Sequence, residues 1–511
     1  MKIAIAQINT IAGDIKFNSA KIREYAALAK KNGAELAVFP ELSLPGGFAG
    51  DLYLRKDFLK ACEKEISVLA KELDIPVVLG SSFGGENAVI YIDKGRIEPL
   101  SFKILFGREK KYFNGNDLQM SVKGFSCCIY SGAKELEQSL KKAAELQAET
   151  LLVLANEPFY IGVNEELTEE ITAYAEKFSI NIAFINGVGA QDGFVSFGSS
   201  FAVNKAGFIE ASAKQFEEDL IFADFVLNTK VQIEEIPMEK QVYDALVLGL
   251  KDYAVKNGFK KFVLGVSGGA DSALTAVIAK DAFGAENVTG IFMPSDITSK
   301  RSRDDAELLC KMNNIKLLEI PISKTFKSFK NDLSEIFKGV KIDVAEENLQ
   351  SRIRGVLLMA YSNKFNALLM TSGNRSEIAS GYCTLYGDCA GGYAVICDLP
   401  KSYLYKVCDW RNSVSKAIPK SVLEKEPTAE LRENQKDSDS LPPYDILDGI
   451  IDKFADSFEG KEEIVLSEEE KQIFKMISLA EYKRRQLPLG TKLLKYSLKD
   501  IQLPVTNGYK Q

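Results

Sequence analysis

Histidine is absent from all 511 residues. That absence removes Ser-His-Asp and Cys-His catalysis, and with them every zinc site built on imidazole. Any nucleophile must be activated by Lys, Glu or Asp, and any metal must be held mainly by carboxylates, which suits a hard ion such as magnesium. No apolar run approaches the ~18 residues of a membrane span, so no membrane partner is expected. The opening Met1 to Ile8 alternates as a short strand and leads into Asn9 and Thr10, not into an apolar export signal. The eight cysteines include no Cys-x-x-Cys pair, a usage that fits reduced thiols in a cytoplasmic protein. A net charge of −7 argues against a nucleic-acid surface.

The rest of the composition is that of soluble globular protein, with 46% apolar and 26% charged residues. The length exceeds what one hydrophobic core organises, so two domains are expected. Residues 1–228 alternate strand-like and helix-like segments, as at Leu36 to Pro40, Val77 to Ser81, Leu151 to Ala155 and Asn181 to Ile185. The run Asn87 to Ile97, with turn chemistry at Asp93-Lys94-Gly95, predicts a sheet that is not purely parallel. Residues 229–238 read as a linker, and residues 239–511 as a second α/β domain in βαβ rhythm. The charged stretch Ala429 to Ser440 reads as a mobile loop, and Gly187 to Gly193 as a turn without dinucleotide-binding spacing.

Directly after the apolar strand ending at Val266 comes Ser267-Gly268-Gly269-Ala270-Asp271-Ser272, followed by a helical run. Two glycines let backbone approach a ligand closely, the helix start offers free N–H groups, and Ser267 and Ser272 add hydroxyls. Such a loop can wrap pyrophosphate, with Asp271 recruiting magnesium. The hexapeptide resembles the signature of the ATP pyrophosphatases and differs from Gly-x-x-x-x-Gly-Lys-Ser/Thr. Further stretches narrow the resemblance to glutamine-dependent NAD+ synthetases. They include Glu347-Asn348-Leu349-Gln350, Arg352-Ile353-Arg354-Gly355, Thr371 to Glu377, Gly381 to Asp388, Pro427 to Leu431 and Tyr482 to Gln486.

The resemblance implies a doubly wound parallel sheet in the second domain and ATP as substrate. It makes Ser267, Gly268, Gly269, Asp271, Ser272, Arg352, Ser372, Lys401 and Thr428 ATP contacts, and Asp271 and Glu377 ligands of Mg2+. Asn348 and Asp388 would face the nicotinate end of the dinucleotide. Two carboxylates can hold a magnesium that also bridges phosphate oxygens, and Lys401 can neutralise the departing pyrophosphate. Cys383, Cys389, Cys397 and Cys408 fit no metal motif and read as structural thiols.

In the first domain Phe39-Pro40-Glu41-Leu42, Lys103 and Gly124-Phe125-Ser126-Cys127-Cys128 each fall at or just after a predicted strand. Their order resembles the Glu-Lys-Cys triad of the nitrilase superfamily, which implies an α/β sandwich and a glutamine amidase. Glu41 would then be general base, Cys128 the nucleophile and Lys103 the oxyanion partner. Cys127 would point to the opposite strand face, and Glu109 would support the pocket. Three departures stand out: Ile129 and Tyr130 replace two acidic residues after Cys128, the Lys103 to Tyr112 segment is short, and Ala155-Asn156-Glu157-Pro158-Phe159 replaces a Ser-Ala-Ser-Pro-Phe stretch.

The implied reaction adenylates nicotinate adenine dinucleotide with ATP and amidates it with ammonia from glutamine. The competing reading is an ammonia-dependent synthetase whose first domain is silent. The resemblance also implies a homo-oligomer.

Overall fold

The computed structural model describes residues 1–105, 107–225, 230–231, 233, 235–433, 435–459 and 465–508. Two compact units emerge, Met1–Glu235 and Ile236–Gln511. Residues 229, 232 and 234 of the expected linker lie outside the described residues, and Met238 already opens the helix Met238–Lys256.

The first unit is built on two six-stranded sheets. One runs Asp219–Ala223, Ile3–Gln7, Leu36–Val38, Val77–Phe83, Glu86–Asp93, Arg96–Phe102, and the other Ile209–Ser212, Phe201–Val203, Asn181–Asn186, Thr150–Ala155, Phe125–Ile129, Ser121–Val122. Period-2 alternation explains the layering. Ile3, Ile5 and Val38 of the first sheet meet Phe125, Cys127, Ile129, Leu152 and Leu154 of the second in a shared core. The intervening Ala4, Ala6 and Ala37 face the helices Ile15–Lys31 and Lys56–Glu72 through Ile22, Ala26, Ile66 and Leu69. Helices Ala133–Glu145 and Val163–Phe178 pack on the second sheet. As Asp93-Lys94-Gly95 predicts, Glu86–Asp93 and Arg96–Phe102 pair antiparallel, with Lys94 at φ 50° and Gly95 at φ 84° in the turn. Gly187 to Gly193 forms more than a turn, since Val188–Gln191 and Phe194–Phe197 make a hairpin.

The second unit holds a five-stranded parallel sheet ordered Lys316–Glu319, Val288–Phe292, Phe262–Gly265, Leu368–Thr371, Tyr393–Ala394. Chain order therefore reverses at Phe262–Gly265, and the crevice beyond its carboxyl end is where open α/β sheets bind ligands. Helix Val344–Phe365 covers one face by packing Ile353 and Leu358 on Val263, Ile291 and Leu369. On the other face Phe262 stacks on Phe283 of helix Ala270–Phe283. A helical annex, Tyr444–Asp456 with Glu468–Leu479, buries Leu447, Ile451, Phe474 and Ile477 against Ala379.

Candidate active sites

The loop after Phe262–Gly265 is held by its own hydroxyls. Ser272 Oγ accepts the Ser267 amide at 3.2 Å and donates to the Gly269 carbonyl at 3.1 Å, while Ser267 Oγ accepts from Gly269 N at 3.3 Å. Gly268 sits at φ 79°, and a Cβ there would lie 2.3 Å from the Ser302 carbonyl oxygen, so no larger residue fits. The first amides of helix Ala270–Phe283 thus open onto a cavity of about 410 Å³, a size suited to a nucleotide-scale ligand. Ser267, Gly269, Asp271, Ser272, Ser372, Glu377, Lys401 and Thr428 line it, as do Asn348 and Asp388.

Asp271 and Glu377 come from different elements and are brought together by Asn374. Asn374 caps helix Arg375–Ser380, accepting the Glu377 amide at 3.0 Å, and donates Nδ2 to Asp271 Oδ1 at 2.8 Å. The buried Lys401 ammonium pairs with Asp271 Oδ2. Burial, then the neighbouring Asp271 charge, pushes the Glu377 carboxyl well above the carboxylate range, against the pull of Lys401. Burial works against the charged Lys401, but Asp271 and Glu377 hold it above the ordinary lysine value. A divalent ion would take the place of the proton that burial and Asp271 keep on Glu377, and with both carboxylates ionised its charge would be balanced. Asp437, also on the wall, keeps a buried Oδ1 without a hydrogen-bond partner. Among the described residues no group of three or more carboxylate or thiol side chains forms a ready cage. Magnesium, which keeps waters and phosphate oxygens in its shell, fits that donor set.

The remaining walls differ from the expectation in three places. Arg352 is exposed and outside the cavity lining, its Nε donating to the Leu385 carbonyl at 3.3 Å. Arg354, two residues on along the same helix, lines the cavity and donates Nε to the Met293 carbonyl at 3.0 Å, with burial pulling its pKa down to about 10. Gly268 also stays off the lining and acts through packing on Ser302. The stretch expected as a mobile loop is a wall: Glu430 accepts from Ser299 Oγ at 2.9 Å and Ser302 Oγ at 2.6 Å, and pairs with Lys425 at 3.2 Å. Its Asn434 lies outside the described residues. Thr428 Oγ1 donates to the Gln435 carbonyl at 2.6 Å. At the far end Thr384 ties Asn348 to Asp388, donating Oγ1 to Asn348 Oδ1 at 2.7 Å and N–H to Asp388 Oδ1 at 2.7 Å. Lys483 closes that end, with Nζ donating to the carbonyls of Gly381 at 2.6 Å and Cys383 at 2.7 Å. Cys383, Cys389, Cys397 and Cys408 are free thiols.

In the first unit Gly80 brings the Glu41 turn onto its neighbouring strand, since a Cβ there would lie 2.6 Å from Glu41 Cα. Lys103 Nζ bridges Glu41 Oε1 at 2.9 Å and Glu109 Oε1 at 2.8 Å, and Asn87 Nδ2 donates to Glu41 Oε1 at 2.7 Å. Burial raises the Glu41 carboxyl against the lowering effect of Lys103. Burial also pushes Glu157 up to about 7, with Lys103 opposing and Glu41, Glu109 and Glu170 adding. Glu157 and Asn87 carry no motif signal beyond the departure at Ala155 to Phe159.

The third expected member is not brought to this cluster. Cys128 lies within the strand Phe125–Ile129, and its thiol contacts the Ser139 hydroxyl on helix Ala133–Glu145. Burial pushes that thiol up to about 12. The reason is register: Cys128 pairs with Val153, whereas Glu41 N–H donates to the Ala155 carbonyl, two residues further along the neighbouring strand. Cys127, as parity requires, points into the core between the sheets.

Residues 2–152 match the carbon-nitrogen hydrolase family model and residues 242–487 the NAD synthase model. Along its full length the chain is 35% identical to the glutamine-dependent NAD(+) synthetase of Thermotoga maritima and 36% identical to that of Xanthomonas campestris, covering 99% and 98% of those proteins. The structure of the glutamine-dependent NAD+ synthetase of Acinetobacter baumannii in complex with ADP superposes with a TM-score of 0.80 at 32% identity, over 99% of each chain.

Proposed function

This chain belongs to the glutamine-dependent NAD+ synthetase family, and we propose the following roles for its residues. The enzyme is an ATP-consuming carbon–nitrogen ligase. The nicotinate carboxylate of nicotinate adenine dinucleotide attacks the α-phosphorus of ATP, and pyrophosphate leaves. Ammonia, which the family takes from glutamine, adds to the acyl carbon and loses a proton as AMP departs, giving NAD+. Adenylation is needed because AMP is a far better leaving group than oxide.

In this reading Ser267, Gly269 and Ser272, with the first amides of helix Ala270–Phe283, receive the β- and γ-phosphates. Lys401 balances the pyrophosphate charge as it leaves. Asp271 and Glu377 would hold magnesium, which when bound would supply Lewis-acid neutralisation of phosphate charge. Ser372, Thr428 and Arg354 line the nucleotide side, while Asn348 and Asp388, linked through Thr384, face the nicotinate end. Glu41 and Lys103 form the polar centre of the first unit. The chain assembles as a homo-oligomer, and the cytoplasm is its compartment; no described helix is long and apolar enough to cross a membrane.

The observation that carries the ligase reading is the Asp271, Glu377 and Lys401 cluster at the mouth of the Ser267 to Ser272 loop. Incubation with ATP, nicotinate adenine dinucleotide and ammonium tests it. Equal yields of NAD+, AMP and pyrophosphate are expected, and ADP with phosphate in their place would refute it.

A further inference from the structure

Glutamine cleavage through a thioester needs a sulfur at the amide carbon while Glu41 takes its proton and Lys103 meets the oxyanion. The first unit contains three cysteines, and each is engaged elsewhere. Cys62, on helix Lys56–Glu72, contacts Ser82. Cys127 is sealed in the core between the sheets, and Cys128 contacts Ser139 beneath the helix Ala133–Glu145. Strand geometry measures the gap. Glu41 docks on Ala155, and Ala155 is level with the residue after Ile129, because Ile129 pairs with Leu154. Cys128 is therefore about two residues short, roughly 6.6 Å along the strand, and faces the helix layer. Sliding it forward would break the ladder from Phe125 to Ile129 and pull Ser126 off Gln119.

The residue at the level of Glu41 is Tyr130. Its amide continues the ladder to the Leu154 carbonyl at 2.8 Å, its ring meets the Phe184 ring edge-on at 6.0 Å, and its hydroxyl is 3.5 Å from both Glu170 carboxylate oxygens. Burial and these carboxylates hold the phenol far above its ordinary pKa, so it supplies no phenolate. Glu157 brings a further carboxyl toward Glu41 and Lys103. The cavity beside Glu41, lined by Pro40, Ser43, Asn156, Gly187 and Gln191, is about 10 Å³, room for about one water. The nucleotide cavity of the second unit is about 410 Å³.

We propose that the first unit of this chain does not cleave glutamine, because Tyr130 holds the strand-end position where a nucleophile would meet Glu41 and Lys103, and that the synthetase takes free ammonium as its nitrogen substrate. The family's fold and charged pair persist without the sulfur. The ammonium it consumes must then come from a separate deamination or amide hydrolysis. The choice of assay rests on the ligase reading, but glutamate release reads the first unit alone.

The test uses the full chain. Glutamate release from glutamine is followed with and without ATP and nicotinate adenine dinucleotide, NAD+ formation is compared with glutamine and with ammonium, and intact mass is recorded after exposure to 6-diazo-5-oxo-norleucine, which alkylates glutamine-cleaving thiols. The expected result is ammonium-driven NAD+ formation, a glutamine-driven rate at least about 100-fold lower, no diazo-ketone adduct and no glutamate release. Cys128→Ala keeps the ammonium-driven rate. Glutamate release by the wild type that disappears in Cys128→Ala or Cys127→Ala, or a stoichiometric adduct on either thiol, would overturn the proposal. Failure with both nitrogen sources would overturn the ammonium half of the proposal together with the ligase reading, whereas nil glutamate release would still support the half that concerns the first unit.

Discussion

Asn374 Nδ2 lies 2.8 Å from Asp271 Oδ1, across 103 positions of sequence. The same side chain accepts the Glu377 amide, so one residue sets the spacing of both carboxylates. Replacing either carboxylate by alanine removes a proposed magnesium ligand. Asp271→Ala and Glu377→Ala are each expected to lose ammonium-driven synthesis by at least about 100-fold. Steady-state rates at ordinary magnesium check this, and near-normal turnover in either variant takes that residue out of the site.

Lys401→Met leaves the two carboxylates without their ammonium. Because Lys401 holds the Glu377 pKa down, its loss raises that pKa further. Synthesis needs the ionised pair, so the acid limb of the rate against pH moves upward while kcat falls. A pH profile of the variant whose acid limb coincides with the wild type's would show that Lys401 does not act on Glu377.

Glu157 is a carboxyl whose folded pKa, about 7, lies above its ordinary 4.5. The folded chain therefore binds that proton more tightly than the unfolded one, and stability falls as pH rises through that window. Glu157→Gln removes the titration. Relative to wild type the variant gains stability between about pH 5 and about pH 8, on the order of 3 kcal/mol at most. Urea unfolding at the two pH values measures the gain, and an identical difference at both would contradict it.

A homo-oligomer is expected from the family. Sedimentation at assay concentration should give a mass above that of one chain, and a fully active monomer would rule the assembly out of the mechanism.

The Ser267 to Ser272 loop was legible because its chemistry is local: an apolar strand, two glycines and a helix start are contiguous, and the hydroxyls that hold the loop lie within it. Glu41 and Lys103 were legible because each follows a strand that ends at the same edge. Cys128 was expected beside Glu41 and Lys103 and is not brought there, because a strand's end is fixed by its partner, and the pairing of Ile129 with Leu154 is not written in residues 125–129 alone. Arg352 was expected on the cavity wall, where Arg354 stands instead, because both lie on one helix and two residues of helix rotate a side chain by about 200°. Ala429 to Ser440 looked mobile because what anchors it is remote: Ser302 is 128 positions from Glu430 and 123 from Lys425.

Lys483, which closes the nicotinate end of the cavity, reaches back 102 and 100 positions to the carbonyls of Gly381 and Cys383. During synthesis the ribosome releases the chain from the N-terminus, and domains fold largely as they emerge. The first unit can settle while the second is still being made, whereas the Ser267 to Ser272 loop must wait for more than two hundred further residues before Lys483 completes its cavity lining. The nucleotide site is thus among the last features of this protein to exist, and until then the loop's free amides and the Asp271 carboxylate are open to water.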